Sequence, residues 1–425
     1  MFSSIIFIIV TLIAGYFAYT SISKIRRNIF LGKPENRSDN PKLRLKNMAL
    51  VALGQSKIIK RPVAGFFHVL IYVGFILINI EVLEIIIDGI TGHHRVFMPI
   101  LGSFYGFLIG FFEILSALVI ISCIVFLYRR NIQKVKRFSG TEMTKFPLFD
   151  GNIILVIEIV LMAALLKMNA ADVHLQNEFN LPISSHLHSF FIDFSESTNY
   201  ALMKTFWWFH WIGILIFINY IPYSKHLHIF MAFPNTYYAN LSPKGQLENM
   251  ESVTTEVNLM LDPNYPIPAN YESPTSFGAK DVEDLTWKNL MDAYSCTECG
   301  RCTSVCPANQ TGKLLSPRKI MMDTRDRLEE KGKLLDHNNT EELNSENLHS
   351  KISAEELWAC TSCNACVEAC PVNINPLEII VKMRQYLVME QSSAPAELNN
   401  MFNNVENNGA PWQFSPSDRA NWTNN

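Results

Sequence analysis

Eight of the nine cysteines fall in two copies of one motif. In each copy three cysteines occupy every third position, and a fourth cysteine follows four residues after the third and directly precedes a proline. The first copy runs from Cys296 to Pro307 and the second from Cys360 to Pro371. This is the ligand spacing of two [4Fe-4S] clusters, in which the fourth cysteine ligates the other cluster. The sequence therefore predicts electron transfer. The two expected ligand sets are Cys296, Cys299, Cys302 and Cys370 for one cluster, and Cys360, Cys363, Cys366 and Cys306 for its neighbour.

Zinc and disulfides are the alternatives for eight cysteines. Pairs of cysteines two residues apart also build zinc sites, but two four-cysteine runs that each end in Cys-Pro favour clusters. A disulfide framework is typical of short secreted chains, and the topology predicted below places these cysteines in the reducing cytoplasm. Cys123 lies in an apolar run and needs no chemical role.

The apolar residues concentrate before residue 230, in five segments long enough to cross a bilayer as helices of about 20 residues. We expect a five-helix transmembrane bundle. The predicted spans are residues 2–23, 63–88, 104–128, 152–170 and 201–221.

Positive charges orient these spans. The segment between the first two spans carries eleven lysines and arginines, and the third span ends in five more, whereas the intervening loops contain only Arg95. Cation-rich loops face the cytoplasm, so we expect a multi-pass protein of the cytoplasmic membrane with its amino terminus outside and everything after residue 221 in the cytoplasm. The first span lacks a basic amino end and is expected to remain as an anchor. The net charge of −3 gives no indication of nucleic-acid binding.

The second half of the chain divides by composition. Residues 1–230 form the predicted membrane domain, and residues 231–285 form a linker rich in Pro, Asn, Ser and Tyr. Because 53 residues separate Cys306 from Cys360, the region 286–390 has room for helices, and we expect an α-helical ferredoxin domain. Ser316-Pro317 and Asn375-Pro376 are predicted helix starts. Residues 391–425 contain four large aromatic residues and are predicted to dock a partner, with disorder as the alternative.

Three histidines are candidate haem ligands, because a haem in a helical bundle is held by imidazoles from two helices. His68 lies in the second span. His210 lies in the fifth span and His228 follows 18 residues later, on the same face if the helix continues through Pro222, whereas His226 would point the opposite way. Depth pairs His68 with His228 and leaves His210 near the outer half. A hydrogen-bonding role within the bundle is the alternative.

Other ionisable residues of the membrane half are secondary candidates. We expect the histidines of the outer loops to be solvated, and carboxylates within spans to be either functional groups that carry protons for a quinone or residues at the headgroup level. The histidines are His93, His94, His174, His186 and His188, and the carboxylates are Glu81, Glu84, Glu113 and Glu158.

The membrane half resembles the haem-binding gamma subunit of respiratory nitrate reductase. The resemblance rests on Phe67-His68 after Arg61-Pro62 and on the run from Pro222 to Ile229. In that family the second span carries two haem histidines ten residues apart, and the fifth carries two at the spacing of His210 and His228. Here the position ten residues after His68 is Ile78. The resemblance therefore implies a haem b between His68 and His228, and leaves a second haem at His210 without one of its ligands.

The second half is similar to the cluster domain of heterodisulfide reductase, and more closely to fused membrane oxidoreductases that pass electrons from electron-transfer flavoprotein to menaquinone. Those proteins continue into a domain with a Cys-Cys-Gly motif, which the present sequence does not contain. The resemblance implies a separate Cys-Cys-Gly protein, a flavoprotein partner, or both, on the cytoplasmic side. The matching runs are 277–280, 287–288, 296–307, 311–313, 316–319, 358–371 and 406–412.

Two functions from different classes fit these patterns. The first is an electron-transfer subunit of a membrane-bound, quinone-linked oxidoreductase that connects a cytoplasmic partner to menaquinone through two clusters and haem b. The second is a membrane iron-sulfur protein for metallocentre maturation or redox sensing. Detection of a haem b that menaquinone reoxidises would support the first function over the second.

Overall fold

The computed structural model describes residues 2–243, 245–262, 264–267, 276–337 and 345–424. Helices account for 71% of the chain, and the described residues contain no β-strand. An isolated β-bridge pairs Lys33 with Thr286. The predicted all-α fold is therefore confirmed.

Among the described residues, five helices are long and apolar enough to cross a membrane, as predicted. Shorter helices connect them. In chain order the helices of this half are α1 Phe2–Ile29, α2 Pro41–Met48, α3 Pro62–Thr91, α4 Met98–Leu101, α5 Ser103–Asn131, α6 Lys145–Ala171, α7 Val173–Glu178, α8 Ser184–His188 and α9 Glu196–Tyr220.

The bundle is built on α6, which packs against both α5 and α9, while α3 packs against α5. Gly74 permits that last approach, because a side chain at this position would meet Val119. Helix α1 lies at the edge, where Phe7 stacks on Trp211 with ring centroids 4.9 Å apart. The opposite face of α1 is apolar and exposed, with Leu12 68% accessible. Such a face suits contact with lipid.

The first helix is longer than the predicted span and ends in the cluster-bearing half. Asn28 donates to the hydroxyl of Tyr294 (3.0 Å), and Arg27 donates to the carbonyl of Gly332 (2.9 Å). The prediction ended this span at residue 23 because it used hydropathy alone. Hydropathy does not detect polar residues that continue a helix into a protein interface.

At the end of the bundle away from the cysteines, Arg95 holds the loops together. Its guanidinium donates to Asp172 (2.6 Å) and to the hydroxyl of Tyr105 (3.0 Å), which in turn donates to Glu84 (2.7 Å). His94 lies 2.9 Å from Asp172 and is only 26% exposed. The expectation that His94 is solvated is wrong, because its side chain is part of this hydrogen-bond network.

The fifth long helix does not continue through Pro222. It ends at Tyr220, and two 3₁₀ turns, Ile221–Tyr223 and Lys225–Leu227, lead to the next helix. The side chain of Ser224 accepts from the backbone N–H of His226 and caps the second turn. The prediction that His226 and His228 point in opposite directions is therefore wrong, because it assumed one unbroken helix.

The cysteine-bearing half consists of short helices around one apolar core, into which residues such as Leu290, Ile320 and Ile379 are fully buried. Ser316 and Asn375 cap the two helices predicted to begin beside them, which confirms both helix starts. In chain order the helices are α10 His228–Tyr237, α11 Glu251–Leu261, α12 Trp287–Ser295, α13 Arg301–Val305, α14 Pro307–Gln310, α15 Pro317–Asp336, α16 Leu348–Lys351, α17 Ala354–Trp358, α18 Ala365–Ala369, α19 Pro376–Met389 and α20 Ala396–Asn408.

The predicted linker of residues 231–285 thus contains part of α10 and all of α11. Its residues 244, 263 and 268–275 lie outside the described ranges.

Buried ion pairs join the two halves. Glu142, in the loop before α6, accepts from the guanidinium of Arg318 (2.8 Å), and the two side chains are 5% and 1% exposed. Lys225 donates to Glu298 (2.7 Å), which also pairs with Arg325 (2.9 Å). These contacts fix the first cysteine motif against one end of the bundle, called the near end below.

Candidate metal centres

The two cysteine motifs adopt the same backbone geometry. In the first, Glu298 and Gly300 have positive φ angles of 54° and 68°, and in the second Ser362 and Asn364 have 54° and 59°. These residues occupy equivalent positions two and four residues after the first cysteine of each motif. A left-handed residue on either side of the second cysteine curls the chain into a loop with its thiols on one side.

Each loop leads into a one-turn helix that ends at the fourth cysteine. Helix α13 ends before Cys306 and α18 ends before Cys370, and the two cysteines have nearly identical backbone angles. The two helices pack against each other. This local symmetry brings each fourth cysteine to the loop of the other motif.

The thiols surround two neighbouring places. Cys296, Cys299, Cys302 and Cys370 line one cavity together. The other four cysteines are mutual neighbours, because Cys366 interacts electrostatically with Cys306, Cys360 and Cys363. Cys302 also interacts with Cys366 across the two places. The four-plus-four partition is the one expected from crossed ligation.

Iron binding must displace the protons of buried thiols. Burial raises the pKa of Cys296 to about 12 and that of Cys370 to about 11, so both are neutral thiols at pH 7 without metal. Bound iron displaces such protons. Backbone N–H groups already point at sulfur, from Ser362 to Cys360 (3.4 Å) and from Ile374 to Cys370 (3.3 Å). Hydrogen bonds of this kind tune the reduction potential of a cluster.

The described residues contain no group of three or more His, Cys, Asp or Glu side chains that could hold one metal ion. The thiols instead border a cavity, and a cubane requires that arrangement because its four ligands bind separate corners. Four thiols around each site is the ligand number of a [4Fe-4S] cluster.

A larger cavity of ≈ 340 Å³ lies between the near end of the bundle and the first cysteine motif. His68 lines it from α3 of the bundle, and His226 and His228 line it from the turn before α10 and from the first residue of α10. Cys299 and Pro371 line it on the side of the cysteine motifs. One cavity thus extends from the histidines to a cluster ligand.

His68 and His228 face each other across this cavity. Their ring centroids are 6.4 Å apart and the rings are inclined by 44°. An iron between two imidazoles gives a centroid separation of about 6 Å, from metal–nitrogen bonds of about 2 Å and the radius of the ring. The residues therefore fit a bis-imidazole haem.

A hydrogen bond at Nδ1 orients the His228 ring for such a role. Nδ1 donates to the carbonyl of Lys225 (2.9 Å), which leaves the lone pair of Nε2 free. Burial lowers the pKa of His228, so the ring is neutral at pH 7. His226 lies against it with ring centroids 5.5 Å apart at 90° and packs on Phe217.

His210 lies apart from this pair. It is 2% exposed and its Nδ1 donates to the carbonyl of Leu161 (2.9 Å). The cavity beside it has a volume of only ≈ 70 Å³, and no other histidine lines it. Ile78 occupies its wall, at the position where the resemblance to the nitrate reductase subunit requires a second ligand.

The carboxylates within the long helices divide into two kinds. Glu84 and Glu113 accept backbone hydrogen bonds from loops at the far end, so they have structural roles there. Glu81 is buried and neither of its oxygens has a hydrogen-bond partner. Glu158 lines both the large cavity and the small one, and it lies 3.9 Å from His226.

The comparisons with known proteins agree with the cysteine geometry. Residues 295–374 match the family model described as a 4Fe-4S dicluster domain. The chain is 28% identical, over 99% of its length and 60% of the relative, to the probable iron-sulfur-binding oxidoreductase FadF of Bacillus subtilis. It is 30% identical to the EtfAB:quinone oxidoreductase of Syntrophomonas wolfei, over 91% of its length and 55% of the relative.

A shorter match links the chain to one component of a ferredoxin/F(420)H(2)-dependent CoB-CoM heterodisulfide reductase from Methanosarcina acetivorans. The two are 31% identical over 25% of this chain and 52% of that component. The chain is an iron-sulfur protein related to heterodisulfide reductase subunits and to EtfAB:quinone oxidoreductase. It spans 60% and 55% of the lengths of its two longer relatives. No solved structure matches it significantly.

Proposed function

We propose that this chain is an electron-transfer subunit of a membrane-bound, quinone-linked oxidoreductase, with two [4Fe-4S] clusters and one haem b. The observation that carries the proposal is the continuous cavity bordered by His68 and His228 at one end and by Cys299 at the other. A haem held by that pair would lie directly beside the first cluster. The similarity to a relative named EtfAB:quinone oxidoreductase supports the link to quinone.

The exposure of the cysteines gives the order of the clusters. Each set of four contains two buried cysteines, but Cys363 of the second set is exposed and Cys299 of the first set lines the cavity that also contains His68 and His228. The cluster held by Cys360, Cys363, Cys366 and Cys306 would therefore meet a soluble partner, and the cluster held by Cys296, Cys299, Cys302 and Cys370 would face the haem. Electrons would pass from the partner through both clusters to the haem and on to menaquinone.

In this proposal the protein positions cofactors and tunes their potentials. A bound haem b supplies a one-electron carrier within the bundle. His68 and His228 hold its iron, and the carbonyl of Lys225 fixes the tautomer of His228. His210 is not proposed as a ligand, because its cavity is too small for a porphyrin and lacks a facing imidazole.

The same proposal orients the chain. The cation-rich segments between α1 and α3 and after α5 lie at the near end with the cysteine motifs. The positive-inside rule then places both cluster sites in the cytoplasm and the amino terminus outside the cytoplasmic membrane. Quinone would bind near the haem rather than in the outer half, because electron tunnelling across most of the bilayer would be slow.

A separate protein would supply the electrons. The resemblance to longer relatives points to a Cys-Cys-Gly protein, a flavoprotein, or both. Helix α20 and the residues after it leave Phe402, Trp412, Phe414 and Trp422 between 40% and 77% exposed. We propose that this aromatic tail, residues 391–425, binds the partner.

Metal and haem analysis of the purified full-length chain tests the proposal. We expect about eight non-haem irons and one haem b per chain, and reoxidation of the dithionite-reduced haem by a menaquinone analogue. A haem-free protein with intact clusters would reject the respiratory proposal in favour of metallocentre maturation or redox sensing. Iron content of half that amount would reject the paired clusters.

A further inference from the structure

The wall of the large cavity on the side of the cysteine motifs is strongly basic. Five cations line it, drawn from the end of α5, the loop after it, the turn before α10 and the first cysteine motif. They are Arg129, Arg130, Arg137, Lys225 and Arg301.

Two of these cations already have ion-pair or hydrogen-bond partners within the protein. Lys225 pairs with Glu298 (2.7 Å). Arg130 donates to the side chain of Asn152 (3.0 Å) and to the carbonyl of Leu148 (3.2 Å). Both therefore have structural roles beside the cavity.

Arg137 and Arg301 differ from them. Arg301 is 7% exposed and donates to the carbonyl of Lys57 (3.1 Å). Arg137 lies over the ring of Phe138 (5.0 Å to the centroid), and its buried Nε has no hydrogen-bond partner among the described residues. Neither forms an ion pair with a carboxylate in the described part of the chain. Elsewhere at the same interface, Arg318 has Glu142 as its partner.

The like charges of Arg61, Arg129, Arg137 and Arg301 lie close enough to repel one another. Buried cations are normally paired, because an unpaired one keeps the full desolvation penalty. Glu158 also lines the cavity, but it forms no ion pair with these guanidinium groups in the described part of the chain, and guanidinium groups gathered without carboxylate partners indicate an anionic ligand.

We propose that Arg137 and Arg301 bind the two carboxylates of the haem held by His68 and His228. The inference rests on the haem of the proposed function and assigns its anionic edge. A haem held between His68 and His228 would leave its carboxylate-bearing edge to reach the basic wall of the same cavity. Guanidinium groups suit this role because they donate two parallel hydrogen bonds to one carboxylate.

The assignment has a consequence for electron transfer. Arg301 lies between Cys299 and Cys302, so a haem carboxylate bound to it would lie next to a ligand loop of the first cluster. The haem would then hold the cluster domain against the bundle as well as accept its electrons. Loss of a positive charge here would also lower the midpoint potential of the haem, because the cation favours the reduced form.

The test compares Arg137→Gln, Arg301→Gln and Arg137→Lys in the full-length chain purified in detergent. Lys136→Gln is the matched control, because Lys136 is an exposed cation next to Arg137 and does not line the cavity. We expect each Gln variant to transfer haem to apomyoglobin about 10-fold faster than the unaltered chain, as loss of a charge-assisted hydrogen bond predicts. We also expect a lower haem midpoint potential in both. Arg137→Lys should fall in between, and Lys136→Gln should match the unaltered chain.

Three outcomes would overturn the assignment. Unchanged haem transfer and midpoint potential in both Gln variants, with iron content intact, would show that the carboxylates bind elsewhere. Loss of bound phospholipid phosphorus from the variants without a change at the haem would show that the arginines hold a lipid phosphate. Absence of haem from the unaltered chain would overturn the proposed function itself, together with this inference.

Discussion

The Glu142–Arg318 pair offers a quantitative test of how the two halves are joined. We predict that Glu142→Gln weakens their docking by about 3 kcal/mol, the lower end of the cost of breaking a buried pair by removing one partner. The side chains are 5% and 1% exposed, and the carboxylate accepts two hydrogen bonds from the guanidinium (3.0 and 2.8 Å) and one from Ser316 (2.6 Å). A glutamine keeps one acceptor oxygen, which is why we use the lower figure.

A change of about 3 kcal/mol corresponds to roughly a 100-fold change in the docking equilibrium. Hydrogen exchange measures it, because amide protons of residues 137–142 and 298–303 should exchange correspondingly faster while those of α5 and α6 do not. Glu251→Gln, at an exposed glutamate, is the control. Equal protection of the interface in Glu142→Gln and in the control would refute the reasoning.

The Glu142–Arg318 pair should also make the docking of the two halves depend on pH. Burial raises the pKa of Glu142, but the hydrogen bond from Ser316 and the charge of Arg318 outweigh it, so the pKa lies below its usual value. A carboxylate of this kind stabilises the folded state above its unfolded pKa of about 4.3, and the contribution is lost as pH falls through the lower folded value. Interface protection in the unaltered chain should therefore decline below about pH 4, and Glu142→Gln should not show this step.

Three further predictions concern the cofactors and the partner. Cys370→Ser should lose the same cluster electron paramagnetic resonance signal as Cys299→Ser, and Cys306→Ser the same signal as Cys363→Ser; the opposite pairing would contradict crossed ligation. His228→Ala should abolish haem binding as measured by the pyridine haemochrome, whereas His210→Ala should retain one haem, and loss in both would contradict the single-haem assignment. Deletion of residues 391–425 should prevent co-purification of the partner protein, and undiminished association would reject the docking role of the tail.

The fold could be predicted from local sequence where local physics decides it. Hydropathy identified five long helices, and the caps at Ser316 and Asn375 identified two helix starts. The end of α1 at Ile29 was missed, because Lys24, Arg26 and Arg27 read as the end of an apolar span.

The site was predicted in part. The cysteine spacing predicted the two loops, since the spacing itself determines each loop, and the binding of each fourth cysteine to the cluster of the other motif stays a prediction. The positions of His226 and His228 could not be obtained from helical periodicity, because the chain turns twice between Tyr220 and His228. Pro222 was the available signal for that break.

The basic wall of the cavity was missed altogether. Arg137 and Arg301 are 164 residues apart in sequence, and only the packing of the cluster domain on the bundle brings them to one surface. Each one alone is an ordinary arginine near a membrane helix or a metal motif. No local pattern distinguishes them.

The most direct test of the central claim is rapid mixing of the dithionite-reduced, full-length chain with a menaquinone analogue, with haem and cluster absorbance followed separately. The account predicts that quinone oxidises one bis-imidazole haem b and that the clusters then lose their electrons through it. In His228→Ala, the clusters should stay reduced on the same timescale. Clusters that quinone oxidises equally fast without haem would contradict the account.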